Sequence, residues 1–268
     1  MSPLWRNELR IALMPGALAW ARYRRGFSRR GPATGVLPLT ARADGPAWQP
    51  AADALAQVLD TAGRAKTTVV LSNHFARYAV LPWNTDITSA AEWEEYARHR
   101  FAAAHGAAAT GWSLSLSAGG AKAPRVASAV DAALLVQLRE TCARKHVPLV
   151  SIQPYLMASY NRFRARLAGK DGWFVSHEPG RLSLGLLRQG AWHSIRNRRA
   201  GDDWRTELAG MIDRENQLAG LEQPCTEVWL DAAGAKLPAK LGASNLRDLR
   251  REAAMPLAPD PALALILN

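Results

Sequence analysis

"WFVSHEPGRLSLGLLRQGAWHSIRNRR", residues 173–199, has the rhythm of three short strands joined by two tight turns. Trp173 to Ser176 is apolar, Glu178-Pro179-Gly180 turns the chain, and Arg181 to Gln189 alternates polar with apolar residues, the period of a strand with one buried face. Gly190 marks a second turn, and a third segment starts at Ala191. The same plan opens the chain. Leu9 to Met14, a Pro15-Gly16 turn and Ala17 to Arg25 predict a hairpin, with Leu18, Trp20 or Ala21, and Tyr23 on a buried face. A short strand around Val36 to Thr40 completes a three-stranded unit. Each meander is followed by helices and strands, which predicts a duplicated α/β architecture of two lobes, 1–169 and a smaller 170–268, divided at "AGKDG" (168–172).

Between the meanders, Trp48, Ala52, Leu55, Val58, Leu59 and Ala62 recur at helical spacing and stop at Gly63. "TTVVLS" and "FARYAVLPW" read as strands. In "SAAEWEEYARHRFAAAHG", Ser89 and Glu92 form a capping box, Trp93, Tyr96, Ala97, Arg100 and Phe101 make one face, and Gly106 supplies the stop. "WSLSLS" and "RVASAVD" are strands, Leu134, Leu135, Leu138 and Cys142 mark a helix, "PLVSIQP" is a buried strand, and Tyr155 to Leu167 is a helix with Arg162, Arg164 and Arg166. After the second meander a helix from about Asp203, capped by Asp202 or Asp203, puts Trp204, Leu208, Met211, Ile212 and Leu218 on one stripe. "TEVWLDA" is a strand, followed by a proline-punctuated tail.

The chain has 268 residues, of which 48% are hydrophobic and 21% charged, an ordinary globular balance. No stretch approaches the ~20 apolar residues of a membrane span, and no signal peptide is evident, so a reducing cytosol is expected. Cys142 and Cys225 stand far apart, without a CxxC or Cys/His cluster. His99 and His105 are six residues apart, which is no same-face metal pair. Gly119 to Lys122 lacks the spacing of a P-loop, and Ser72-Asn73-His74 lacks a nucleophile elbow. The net charge is +11, carried by 28 Arg and 6 Lys, and residues 1–42 hold eight Arg against the single acid Glu8. Such a charge suits an acidic protein or an anionic membrane surface as well as it suits nucleic acid.

In a duplicated fold of this kind a ligand would meet the turns "LMPGAL" (13–18), "SHEPGRL" (176–182) and "AAGA" (232–235). "LRIALMPGALAWARYRRG", "VVLSNHFARYAVLPW" with its Arg77-x-x-x-x-Pro82 pattern, "VSIQPYLMASYNRF" and "VWLDAAGAKLPAKL" resemble, in that order, segments of the actin-like ATPase superfamily. Within it the resemblance runs to the assembly-scaffold branch of the type IV pilus protein PilM and the cytoplasmic domain of the type II secretion protein GspL. It covers most of the chain through short matches of order and pattern. It implies an actin-like, ribonuclease-H-like two-lobe fold with a reduced second lobe.

Active members of the superfamily place an Asp in each meander turn to hold Mg²⁺ and orient water. Here Leu13, Met14 and Pro15 stand at the first, with only Gly16 kept; Ser176 or His177 stands at the second, beside Glu178 and Gly180; and one glycine of the adenosine turn has become alanine, leaving Gly234. The expectation is a degenerate cleft with no catalytic residue, no metal and no cofactor. ATP with Mg²⁺ enters only under the alternative in which Glu178 serves as the acid.

The resemblance implies a cytoplasmic, non-enzymatic scaffold, peripheral at the inner membrane through partners alone. The partners it implies are a membrane-anchored assembly protein, a cytoplasmic assembly ATPase and a second copy of the chain. The basic residues Arg22, Arg24, Arg25, Arg29 and Arg30 are the expected partner-binding region. A non-specific nucleic-acid binder is the remaining alternative, and no specific nucleic acid is expected.

Overall fold

A computed structural model describes residues 7–24, 31–42, 44–118, 120, 122–232, 240–255, 258 and 260–267. Its elements begin with β1 (Glu8–Met14), β2 (Ala17–Tyr23), β3 (Ala33–Pro38), α1 (Gln49–Ala62), β4 (Lys66–Leu71) and β5 (Ala76–Leu81). They continue with α2 (Ala90–His105), β6 (Trp112–Leu116), β7 (Arg125–Asp131), α3 (Ala132–Arg144), β8 (Leu149–Pro154) and α4 (Tyr155–Leu167). The last third holds β9 (Gly172–Glu178), β10 (Arg181–Arg188), β11 (Ala191–Arg199), α5 (Trp204–Leu218), β12 (Glu227–Asp231), β13 (Lys240–Leu241), β14 (Ser244–Asp248), α6 (Leu249–Glu252) and α7 (Pro261–Ala264). Contacts divide the chain into two compact units, Met1–Ala76 with Val130–Ala158 and Pro256–Asn268, and Arg77–Ala129 with Ser159–Met255. The units are interleaved in sequence, so neither is a single stretch such as 1–169 or 170–268.

The first unit is built on a five-stranded sheet in the order β3-β2-β1-β4-β8, antiparallel through the meander and parallel from β1 to β4 to β8. The hairpin is apolar on both faces because both are covered. Leu9, Ile11 and Leu13 are buried together with Leu55, Val58 and Leu59 of α1. On the opposite face Ala12, Met14, Ala19 and Ala21 pack against Leu263, Leu265, Ile266 and Leu267 of the C-terminal segment. That segment is tied down where the Tyr23 hydroxyl and an Arg10 guanidinium N–H donate to the Ile266 carbonyl at 3.2 and 3.5 Å.

The second unit repeats the plan. Its six-stranded sheet runs β11-β10-β9-β12-β14-β13, with β9 to β11 as the antiparallel meander and β12 parallel to both β9 and β14. Pro179 and Gly180 turn the first hairpin with Gly180 at φ 77°, and Gln189-Gly190 turns the second with both residues at positive φ. A side chain at Gly190 would also strike the backbone nitrogen of Gly169 at 2.5 Å. Trp173, Val175, Leu184, Val228 and Leu230 form one face of the sheet, and Trp204, Leu208 and Ile212 of α5 cover it. The other face carries Phe174 and Trp192 around Tyr160 of α4. A three-stranded sheet, β5-β7-β6, packs Leu81, Ala127 and Ala129 on Trp93, Ala97 and Phe101 of α2, whose capping box closes from both sides.

Three local expectations are corrected. Leu218 is 65% exposed, because Glu215 and Asn216 occupy the inward positions of the last turns of α5. Glu215 is buried by its ion pairs to Arg196 and Arg198, and Asn216 by bonds to Trp173 and Cys225, so polar residues hold places that an apolar count assigns elsewhere. Asp203 stands at the N-cap of α5 without a side-chain capping bond. Arg100 lies exposed on α2 beside the buried Trp93, Ala97 and Phe101.

Candidate functional site

In a parallel sheet the carboxyl ends of the strands are where ligands are received. In the second unit those of β9 and β12 lie side by side, with Asp231 opposite Ser176. By strand alternation Ser176 and Glu178 follow Phe174 on the face toward α4, and His177 points the other way. The ring of His177 stacks on Trp204 at 4.2 Å between centroids. Ser176 has no exposed surface, and its hydroxyl has no hydrogen-bond partner among the described residues. Glu178 is 1% exposed and faces Arg181 across the turn, supporting a guanidinium that burial, Arg77 and Arg199 all disfavour.

Asp231 is the acid that sequence reasoning did not single out. It has no exposed surface, and its carboxylate accepts from the Ser159 hydroxyl of α4 and from Nε of Arg250 in α6. A second guanidinium, of Arg162, stands 3.8 Å away. Both carboxylate oxygens therefore face donors of the chain itself, and the surrounding charge is net positive. The available signal was an Asp ending an apolar strand, "VWLD", which in isolation reads as a strand end.

The matching turn of the first unit carries no charge. Leu13 and Met14 are buried, and exposed Gly16 uses its carbonyl to accept from the Leu39 N–H at 2.9 Å. Ser72 and Asn73, at the end of neighbouring β4, are spent on the fold: Ser72 N–H donates to Leu13 O at 2.9 Å, and Asn73 Oδ1 caps the first turn of α4 by accepting from Leu156 N at 3.0 Å. Arg22 is half-buried on β2 and Arg24 is exposed just beyond it. Arg25, Arg29, Arg30 and Gly234 lie outside the described residues. His105 stacks on Phe101 and meets Trp112 edge-on, and the described residues hold no group of three potential metal ligands. No helix among them is long and apolar enough to cross a membrane.

Two units with one strand order, each a meander followed by parallel strands, have counterparts among solved structures. The chain is similar to the PilM-PilN type IV pilus biogenesis complex at TM-score 0.64, with 15% identity over 96% of each chain. It is similar to the cytoplasmic domain of EpsL, an inner-membrane component of the type II secretion system of Vibrio cholerae, at TM-score 0.60 and 10% identity, covering 97% of this chain and 92% of that one. A Bacteroides thetaiotaomicron protein of actin-like ATPase fold superposes at TM-score 0.58 and 10% identity, covering 88% and 86%.

The chain has the actin-like ATPase fold. No family model matches it, and no curated protein matches it by sequence. Within the actin-like fold the turns after β1 and β9 are those expected to carry the metal-orienting acids. The first holds Leu13 to Gly16, and the second holds Ser176, His177 and a Glu178 set against arginine.

Burial and the nearby Arg205 push His177 down from 6.5 to about 4, so it stays neutral in the folded actin-like unit. Its unfolded form takes up a proton near pH 6.5 and its folded form only near 4, so the folded state loses stability as pH falls through that window. His177→Gln should flatten the acid limb of a stability-versus-pH curve between those values. An unchanged limb, measured by denaturant melts at stepped pH, would refute this account of His177.

Proposed function

We propose that this chain is a non-catalytic, actin-like cytoplasmic scaffold that assembles or anchors a bacterial envelope machine of the type IV pilus or type II secretion kind. The observation that carries the reading is the state of the acids at the strand ends. The first turn has none, Asp231 is held between Arg250, Arg162 and Ser159, and Glu178 is buried opposite Arg181 at the end of its strand. Phosphoryl transfer needs carboxylates that hold a metal and orient water. A carboxylate already engaged by guanidinium groups, as Asp231 is, is poorly placed to do so, and no metal or cofactor is invoked.

Two structural neighbours support the choice of machine: one is a complex of PilM with PilN, the other an inner-membrane component of a secretion system. By analogy the partner is a membrane-anchored assembly protein, with a cytoplasmic assembly ATPase and a second copy of the chain as further contacts. The chain itself meets the inner membrane through those partners. The basic stretch of Arg22, Arg24, Arg25, Arg29 and Arg30 would steer an acidic partner toward it, raising the association rate more than the final affinity.

Purified protein should release no phosphate from ATP above a protein-free blank with Mg²⁺ present. Turnover that Glu178→Gln abolishes would replace the scaffold reading with that of an active ATPase. Replacing Arg24, Arg25, Arg29 and Arg30 by Ser should slow association with a co-encoded membrane-anchored partner and flatten its salt dependence. Unchanged kinetics would reduce that stretch to solvated surface.

A further inference from the structure

A groove of about 300 Å³ lies within the second unit, at the lower end of the size range of ligand pockets. Tyr78 to Val80 of β5 line one side and His193 to Arg196 of β11 the other, with Arg100, Phe101 and His105 of α2 between them. Both strands are sheet edges: β5 ends the order β5-β7-β6, and β11 ends the order β11-β10-β9-β12-β14-β13. An edge strand presents a row of backbone donors and acceptors to whatever lies alongside it.

The charge of the groove has one sign. It is carried by Arg100 and Arg196, the imidazoles of His105 and His193 line the groove beside them, and no carboxylate lines it. Arg196 is paired with Glu215 at 3.3 Å. The apolar lining is Ala79, Val80, Ile195 and Phe101, and Phe101 meets Trp112 edge-on at 6.1 Å between centroids. A row of backbone groups, a small apolar patch and basic side chains above it make a seat for an extended peptide with acidic and small apolar residues in alternation.

We propose that the groove between β5 and β11 seats an extended acidic segment of a partner protein, added as a strand along β11. The proposal rests on the scaffold reading for the existence of a partner. A second copy of the chain is a poorer occupant, because pairing two β11 edges would set Arg196, Arg198 and Arg199 of one copy against the same residues of the other. Like charges across a strand pair are destabilising.

The test uses the whole chain and a fluorescent probe peptide alternating glutamate and valine. Its controls are the lysine-for-glutamate peptide and a version N-methylated at alternate amides. The glutamate peptide should bind saturably and lose affinity as salt rises. N-methylation should weaken it about tenfold by removing strand hydrogen bonds. The double variant Arg100→Glu, His193→Glu should weaken it about tenfold or more with an unchanged thermal melt, since both residues are exposed. Hydrogen exchange should slow, when the peptide is bound, at those amides among Ser194 to Arg196 that point away from β10.

Absence of binding, equal binding of the lysine peptide, or bound peptide without protection at β11 overturns the proposal. So does sedimentation showing a dimer whose β11 amides are protected without peptide, which would assign the edge to a second copy. If the peptide fails while a membrane-anchored partner still binds the chain, the groove is lost and the scaffold reading stands. If the peptide binds a chain that also hydrolyses ATP, the groove stands and the non-catalytic reading is lost.

Discussion

Asp231→Ala should destabilise the protein by about 3–5 kcal/mol, because it strands buried guanidinium charge without its counter-ion. Arg250 is 7% exposed and Asp231 is wholly buried, so water cannot replace the lost carboxylate at Arg250. The Ser159 hydroxyl loses its acceptor in the same step. Replacing both charges, Asp231→Leu with Arg250→Met, should cost much less than Asp231→Ala, since apolar residues of similar volume often substitute a buried pair at little cost. Arg162 then becomes the residual source of strain, 3.8 Å from the deleted carboxylate but better placed to reach solvent. Denaturant titration of the three proteins reads the comparison directly. A loss below about 1 kcal/mol for Asp231→Ala would mean that the site is hydrated, as exposed pairs are. The network would then be no obstacle to a ligand.

A loss of similar size, about 3–5 kcal/mol, is expected for Trp173→Ala, which empties the centre of the second unit's core. Trp173 has no exposed surface and lies among Val175, Leu184, Leu208, Ile212 and Val228. Its indole N–H donates to Asn216 Oδ1 at 3.0 Å, and the same oxygen accepts from the Cys225 N–H at 3.1 Å. Trp173→Phe should therefore cost less than Trp173→Ala, since it keeps an aromatic ring and leaves Asn216 still bonded to Cys225. The melting temperature of the alanine variant should fall by about 10 °C, following the usual scaling for chains of this size. If Phe and Ala cost the same, the hydrogen bond rather than the packing holds this position.

The elements that local pattern can specify were legible. The two meanders follow from strand alternation and from turns whose Pro179-Gly180 and Gly190 demand particular backbone angles. The α2 start follows from Ser89 and Glu92, three residues apart and each able to satisfy the other's amide. The lack of an acid at Leu13 to Gly16 could likewise be read without coordinates. Other features were illegible for identifiable reasons. Two-residue β13 and the polar alternation of β14 fall below what periodicity resolves. The apolar count on α5 placed Leu218 inward because hydrophobicity alone cannot anticipate that Glu215 and Asn216 would be buried by partners from β9, β11 and the Cys225 segment.

The sequence by itself determined the repeated meander plan, the turn residues and the missing acids, because each depends on residues within a few positions of one another. Only the tertiary structure decided which charges were neutralised. Asp231 meets Ser159 from 72 residues away and Arg250 from 19, a pairing that no local period encodes. It also decided what covers each sheet. The tail from Ala262 to Leu267 packs beneath β1 and β2, so the hairpin could be apolar on both faces. The juxtaposition of β5 with β11 belongs to the same class, since strands more than a hundred residues apart meet through the packing of two sheets that share no local signal.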